Sequence, residues 1–485
     1  MIDCTNLLMI SKPAGLGALA ILPQEVLRDI LILSEAKAHP LRILSRGFKD
    51  NFDKFSTEIF IGDRDTVYPS DIGQIIANVT KNSPALTSIT LRYVGLKAEL
   101  QSFYSLKMPA GLQTLNLSWN FMRSDEASSL APSLMMLTGL HTLDLSENDI
   151  GSAGVSSLAP SLMMLTGMRT LNLSGNLMGS AGASSLAPSL IGLTGLQTLN
   201  LLYNDLGVAG ALSLAPSLMM LTGLQTLNLS RNGIGSDGAS SVAASLKVLT
   251  RLHTLDLSLN DMQSDGASSL ASSLKVLTGL QTLNLSWNYM RSAGALSLTA
   301  SLVMLTGLHT LDLSLNLMGS AGVSSLAPSL MTLTGMRTLN LSGNLMFSAG
   351  ASSLAPSLMR LTGLQTLDLS WNDLESDCAS SLAASLMMLT GLQTLDISRN
   401  LMQSVGALSL APSLKVLTRL KILNISRNDL QSDGASSLAP SLMRLTELHT
   451  LDLSGNALGS SVLLLEHSLT ILTGLKVLNL KDDDE

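Results

Sequence analysis

Apolar residues recur along this chain in one pattern with a spacing of 28 residues. A period of that length marks an architecture of stacked units. With Leu140 taken as position 1, Leu143 and Leu145 fall at positions 4 and 6 between polar neighbours, which is strand spacing. Val155, Leu158, Leu162 and Leu165 follow at positions 16, 19, 23 and 26, the spacing of one helix face. Ser at position 13, as in Ser124, Ser152, Ser236 and Ser376, is suited to cap that helix. Gly or Ala at positions 15 and 16 suits a close approach. Each unit is therefore predicted to be strand, turn and helix. Neither element can bury its apolar side alone, so neighbouring units must stack. Stacked strands need roughly 4.8 Å and packed helices roughly 8–10 Å, so strands are expected to line a concave side and helices a convex one.

Thirteen full units begin at Leu112 and end with one of 27 residues, followed by a truncated unit from Leu475. A worn unit runs from Leu86 to Gly111. Pro stands at position 21 in most units, among them Pro132, Pro160 and Pro328, well inside the expected helix. It removes a donor there and clashes with the preceding turn, which predicts a kinked helix or two short pieces. Units with Ala244, Ser272, Ala300 or Ala384 at that position should be straighter.

Position 9 is Asn in every full unit: Asn120, Asn148, Asn176, Asn204, Asn232, Asn260, Asn288, Asn316, Asn344, Asn372, Asn400, Asn428 and Asn456. An interior amide at a turn offers two donors and an acceptor to the loop backbone. A structural asparagine ladder is expected rather than a catalytic row.

The consensus Leu-x-x-Leu-x-Leu-x-x-Asn-x-Leu/Met, then Gly-x-x-Gly-Ala and Leu-Ala-x-Ser-Leu, resembles the ribonuclease-inhibitor-type leucine-rich repeats. The resemblance covers about three quarters of the chain. It implies an α/β fold, a right-handed leucine-rich-repeat solenoid (horseshoe) that binds proteins on its concave face. Relatives of that type include inhibitors, GTPase-activating proteins of the Ran system, nucleotide-sensing immune receptors and F-box proteins, so the class alone does not fix a function. The six units from Leu112 to Gly279 match those from Leu280 to Glu447 residue for residue in places, Trp119 with Trp287 for example, which points to a block duplication.

Positions 3 and 5 should face out of the strand row. Position 3 is Thr in twelve of the thirteen full units, Ile422 being the exception, and position 5 is always Asn or Asp. So uniform a wall recognises little; β-propensity and solubility account for it. Position 8 varies instead, and carries Trp119, Tyr203, Arg231, Trp287, Trp371, Arg399 and Arg427. Trp, Tyr and Arg dominate binding hot spots, which makes this row the candidate partner-binding site. Tolerated drift at an exposed position is the competing explanation.

Other chemistry is sparse. The 485 residues carry a formal charge of −7, which argues against nucleic-acid binding and anionic membranes. No run of apolar residues is long enough for a membrane span. Cys4 and Cys378 offer no disulfide framework, and no basic leader opens the chain. Asn-x-Ser sequons such as Asn116 and Asn284 would place glycans along the inner wall of a secreted protein. These points together favour a cytoplasmic setting. His141, His253, His309 and His449 all fall at position 2, whole units apart, too far to share a metal. Cys378, at a usual Gly position, reads as a small-residue substitution. No phosphate-binding loop or nucleophile motif is present. No enzymatic activity, cofactor or metal is expected.

Residues 1–85 do not repeat and are expected to form a small helical N-terminal domain, leaving 86–485 to the solenoid. Leu22-Pro23-Gln-Glu25-Val-Leu27, with Leu41-Arg-Ile-Leu-Ser-Arg-Gly-Phe48 further on, resembles an F-box. That resemblance implies a ubiquitin-ligase substrate adaptor in which Leu22, Pro23, Glu25 and Leu27 help hold a Skp-type adaptor. A helical cap over the first repeat explains the same residues. The functional expectation is a protein-binding scaffold. The alternatives are an F-box adaptor and a Ran-type GTPase activator, the latter with only the short acidic end Lys481-Asp-Asp-Asp-Glu485 in its favour.

Overall fold

The computed structural model describes residues 58–62, 86–93 and 108–481. The F-box-like segment 22–48, Cys4 and Asp482–Glu485 lie outside the described residues. The described residues fall into two compact units, one of those up to 206 with 216–224, the other of 207–215 with those from 225 on.

In the first unit the strands run parallel and in sequence order from Glu58–Gly62 through Ser88–Arg92 to Thr198–Asn200. In the second they run the same way from Thr226–Asn228 to Val477–Asn479. The pairing register is the repeat period itself: Thr310 pairs with Thr338, and Thr450 with Val477 where the unit is one residue shorter. The paired strands start earlier than the sequence boundary at 86, because Glu58 pairs with Ser88. A helix follows the strand in each full repeat, as in Gly151–Met163 and Gly319–Leu330. This is an α/β solenoid of strand–turn–helix repeats.

The buried side chains are those the pattern picks out. In one repeat Leu280, Leu283, Leu285, Met290, Ala295, Leu298, Leu302 and Leu305 are all fully buried. Burying each large one contributes about 1.5–3 kcal/mol, repeat after repeat.

Two expectations about the helix are corrected. First, position-21 proline neither kinks the helix into pieces nor ends it. Helices run unbroken through Pro132, Pro160 and Pro328, and Gly319–Leu330 has the same span within its repeat as proline-free Gly235–Leu246. The proline is exposed and stands within the last turn, where water can satisfy the one carbonyl it leaves free. On its inner side the next residue is a buried Ser, which in several repeats ties adjacent helices together: the Ser161 hydroxyl donates to Ala131 O at 2.7 Å and Ser357 to Ala327 O at 2.6 Å, whereas Ser329 and Ser413 bond within their own helices.

Second, Ser at position 13 is not a cap. Ser152 and Ser236 lie inside their helices, Ser124 and Ser376 are first residues, and none of these helices is capped by its position-13 serine; at the Ser124 helix it is the Glu126 carboxylate that accepts the Arg123 N–H, at 2.9 Å. Outside the repeats of Arg123 and Glu375, which are extended there, the residue at position 12 is left-handed and leads into the helix, as at Gly151 (φ 63°) and Gln263 (φ 55°). Its N–H donates to the carbonyl of the next ladder asparagine, Gly151 to Asn176 O at 2.9 Å. Position 15 is usually glycine because it lies against the backbone of position 13 in the preceding repeat. A Cβ on Gly154 would come within 3.0 Å of Ser124 Cα, and one on Gly266 within 3.3 Å of Ser236 Cα.

The asparagine amides form the inner tie between repeats. Asn288 Nδ2 donates to Leu257 O (2.9 Å) of the preceding repeat and to Leu285 O (3.0 Å) and Ser286 O (3.1 Å) of its own. Its Oδ1 accepts the N–H groups of Asn260 (3.1 Å) and Met262 (3.4 Å). Asn288→Ala strands buried carbonyls on two repeats, so it should cost about 2–3 kcal/mol. Hydrogen exchange should rise first around residues 257–290 rather than at the chain ends. Unaltered melting together with unaltered exchange there would contradict this role.

Candidate functional site

Position 5 has a local structural role that β-propensity misses. Its side-chain oxygen closes the strand by accepting from the Ser at position 7: Asp312 Oδ1 takes the Ser314 N–H at 2.9 Å and its hydroxyl at 2.7 Å. Where Asn and Asp alternate, the amide also donates sideways, Asn340 to Asp312 at 3.3 Å and Asn424 to Asp396 at 2.9 Å. The row is thus a second polar ladder, half-buried. Among the described residues Asp368 and Asp396 are the one place where two acids are register partners. Burial, then the charges of Asp396 and Asp312, push the Asp368 carboxyl above its ordinary value, against the lowering effect of its bonds from Ser370.

Position 8 is left-handed in all thirteen full repeats, from Trp119 (φ 62°) to Gly455 (φ 62°). Its N–H donates across to the next repeat, Trp371 to Ser398 O at 3.0 Å and Arg427 to Ser454 O at 2.8 Å. For an L-residue this conformation costs roughly 1–2 kcal/mol, and glycine avoids it. Only Gly175, Gly343 and Gly455 take that option. The other ten repeats carry a side chain there at a conformational cost.

Those side chains lie against one another. Arg399 stacks over the Trp371 ring at 4.2 Å, a cation–π contact. A Cβ on Gly175 would strike the Glu147 carboxylate at 2.7 Å, and one on Gly343 the Leu315 side chain at 2.5 Å. In the first unit the row begins one repeat earlier than the sequence reading placed it. Tyr93, left-handed (φ 55°), packs on Trp119 at 5.4 Å, and Arg92 lies over Tyr93. Tyr93 is position 8 of the worn repeat, which the consensus count passed over.

Trp119, Tyr203, Trp287 and Trp371 are exposed, Trp371 the most at 55%. Arg231 and Arg427 are exposed and Arg399 is half-covered by its stacking. Around Trp371 other departures from the repeat gather. The Asp368–Asp396 pair lies three residues before Trp371 and Arg399. Ile422 replaces the wall threonine and is exposed, beside Lys421, whose ammonium donates to Gln393 Oε1 at 3.1 Å. Glu375 stands at position 12 in extended conformation and bridges Leu401 instead of turning left-handed. With the loop held that way, Asn428 Oδ1 is left without a partner. The same change recurs in the first unit, where Arg123 bridges Asp149 and Asn176 Oδ1 is unpaired. In both cases position 15 is not glycine, but Glu126 or Cys378.

Cys378 is buried and donates to Glu375 O at 3.2 Å; burial raises its thiol pKa to about 11, so it is no nucleophile at neutral pH. Among the described residues no group of three His, Cys, Asp or Glu could hold a metal ion, and no helix is long and apolar enough to cross a membrane.

A leucine-rich-repeat family model matches seven segments: 138–159, 166–187, 222–243, 248–271, 306–327, 361–383 and 416–439. Each begins two to four residues before the first residue of a unit, in phase with the strands described above. This is a chain of leucine-rich repeats. A comparison with curated proteins finds no match.

Within these leucine-rich repeats the acidic pair yields a pH prediction. A carboxyl with a folded pKa above its unfolded value favours folding when protonated, and that advantage is lost as pH rises through the folded pKa. Asp368→Asn keeps the acceptor for Ser370 and removes the acid–acid step. Melting temperature should rise at pH 7, with the gain fading below the unfolded carboxylate value of about 3.9. A gain of equal size at both pH values, or a loss at pH 7, would show that the buried charge is not the cause.

Proposed function

We infer that this chain is a protein-binding scaffold whose partner is read along the position-8 row at Trp371, Arg399 and Arg427. Leucine-rich-repeat solenoids typically serve as interaction scaffolds, and the full helix in each repeat supports the ribonuclease-inhibitor-type subclass. One observation carries the location. In an array of near-copies, an exposed Trp with its stacked Arg, the one acid–acid step, the exposed Ile422 and the altered Glu375 loop fall within adjacent repeats.

The chemistry suits an acidic, partly apolar segment. Trp371 and Ile422 offer apolar area, while Arg399 and Arg427 offer donors that can pair with carboxylates in a bidentate way. Stacking on Trp371 holds the Arg399 guanidinium in one plane before the partner arrives, which lowers the ordering cost of binding.

The test is the affinity of a partner purified by capture on the native chain. Trp371→Ala should weaken its binding by about 2 kcal/mol, while Thr366→Ala, on the uniform wall, should change it little. Equal losses at both positions, or none at Trp371, would place recognition elsewhere.

A further inference from the structure

The second unit has an edge that the position-8 row does not reach. It comprises the C-cap of each helix and the loop into the next strand, positions 24 to 28 and then 1 and 2. Ten Lys or Arg side chains lie there, all exposed, against one carboxylate, Glu447. The opposite edge of the same unit, positions 8 to 14, carries eight carboxylates and four Arg. The cations are therefore sorted to one edge rather than scattered.

Cation and apolar side chain alternate along it. Five of eight consecutive repeats place one of each at positions 24 and 25: Lys247–Val248, Lys275–Val276, Met359–Arg360, Lys415–Val416 and Met443–Arg444. The apolar members are 37–43% exposed, and the remaining repeats fill in with Val303, Met304, Met331, Met387 and Met388. Helix C-termini attract cations in their own right, and Lys247, Lys275 and Lys415 occupy C-caps. That attraction fades within a turn. It leaves Arg251, Arg337, Arg419 and Lys476, in the loops and strand starts, without a structural reason. Methionine-rich surfaces re-pack around apolar faces of varied shape.

We propose that this basic–apolar edge is a second docking surface, and that its occupant is an acidic amphipathic helix of a partner protein. Charge complementarity sets the sign. The spacing selects a helix: packed helices repeat at roughly 8–10 Å, and seven residues of an α-helix rise about 10.5 Å. A helix with apolar residues in each heptad and Glu beside them would thus meet one cation–apolar pair per heptad.

The experiment titrates the full 485-residue chain into a labelled synthetic helix of about four heptads, with Leu at a and d and Glu at e and g, followed by fluorescence anisotropy. Micromolar binding is expected. It should weaken about tenfold in a Lys275→Glu, Arg360→Glu, Lys415→Glu variant, and by a similar factor between about 50 and 300 mM salt. The same helix with Lys in place of Glu should not bind. Trp371→Ala should leave binding unchanged, which separates this surface from the position-8 row. No binding of the acidic helix, or equal binding by the charge-reversed chain, overturns the proposal. So does retention by phosphatidylserine vesicles or by a second copy of the chain without peptide binding. If the triple variant does not fold, salt dependence and the lysine-flanked helix decide the matter on the native chain.

Discussion

A buried asparagine amide ties each repeat to the one before it. It reaches back to the carbonyl at position 6 of the preceding repeat while holding the carbonyls of its own loop, as Asn316 does with Leu285 and Leu313 at 2.9 and 3.0 Å. A buried polar group must be paired or it costs stability. The amide can be paired only if the next repeat supplies its backbone at the right height, so the ladder fixes register and period together. The strand pairing and the closing Asn/Asp–Ser contacts repeat at the interval that this amide sets.

Where the ladder is perturbed, the surface changes with it. Glycine at position 15 lets one helix start lie against the last; a Cβ would meet backbone or side chain of its neighbours at about 3 Å or less. Glu126 and Cys378 stand where glycine usually does, and in both repeats the loop leaves its left-handed path and one amide oxygen nearby goes unpaired. Both repeats also display an exposed Trp at position 8. In a scaffold so uniform, local irregularity and chemically distinct side chains occur together, which is the expected mark of a site that gives up some stability for recognition.

The period, the apolar positions, the strands and the buried asparagines were legible in the sequence because they follow from spacing and from the need to pair polar groups. The helix start was not. Ser152 looks like a cap, yet the left-handed backbone at Gly151 and the carbonyl of Asn176 do that work, and neither can be read from a one-repeat pattern. Nor does the pattern show the cost of proline, which depends on how near the helix end and how wet the site is. The left-handed backbone at position 8 was hidden by its own contents: three glycines among thirteen residues do not announce it. Tyr93 and the Asp368–Asp396 step became visible only when the strands were aligned.

The central claim is that the array is a constant frame and that recognition resides in its departures near Trp371. The most direct test replaces those departures by the residues their repeats use elsewhere: Asp368→Asn, Trp371→Gly, Arg399→Gly and Ile422→Thr in one chain. Melting and partner capture are then measured side by side with the native protein. The account predicts a melting temperature equal to or above that of the native chain, with loss of the proteins that the native chain retains. An unchanged set of retained proteins on a folded variant would contradict it.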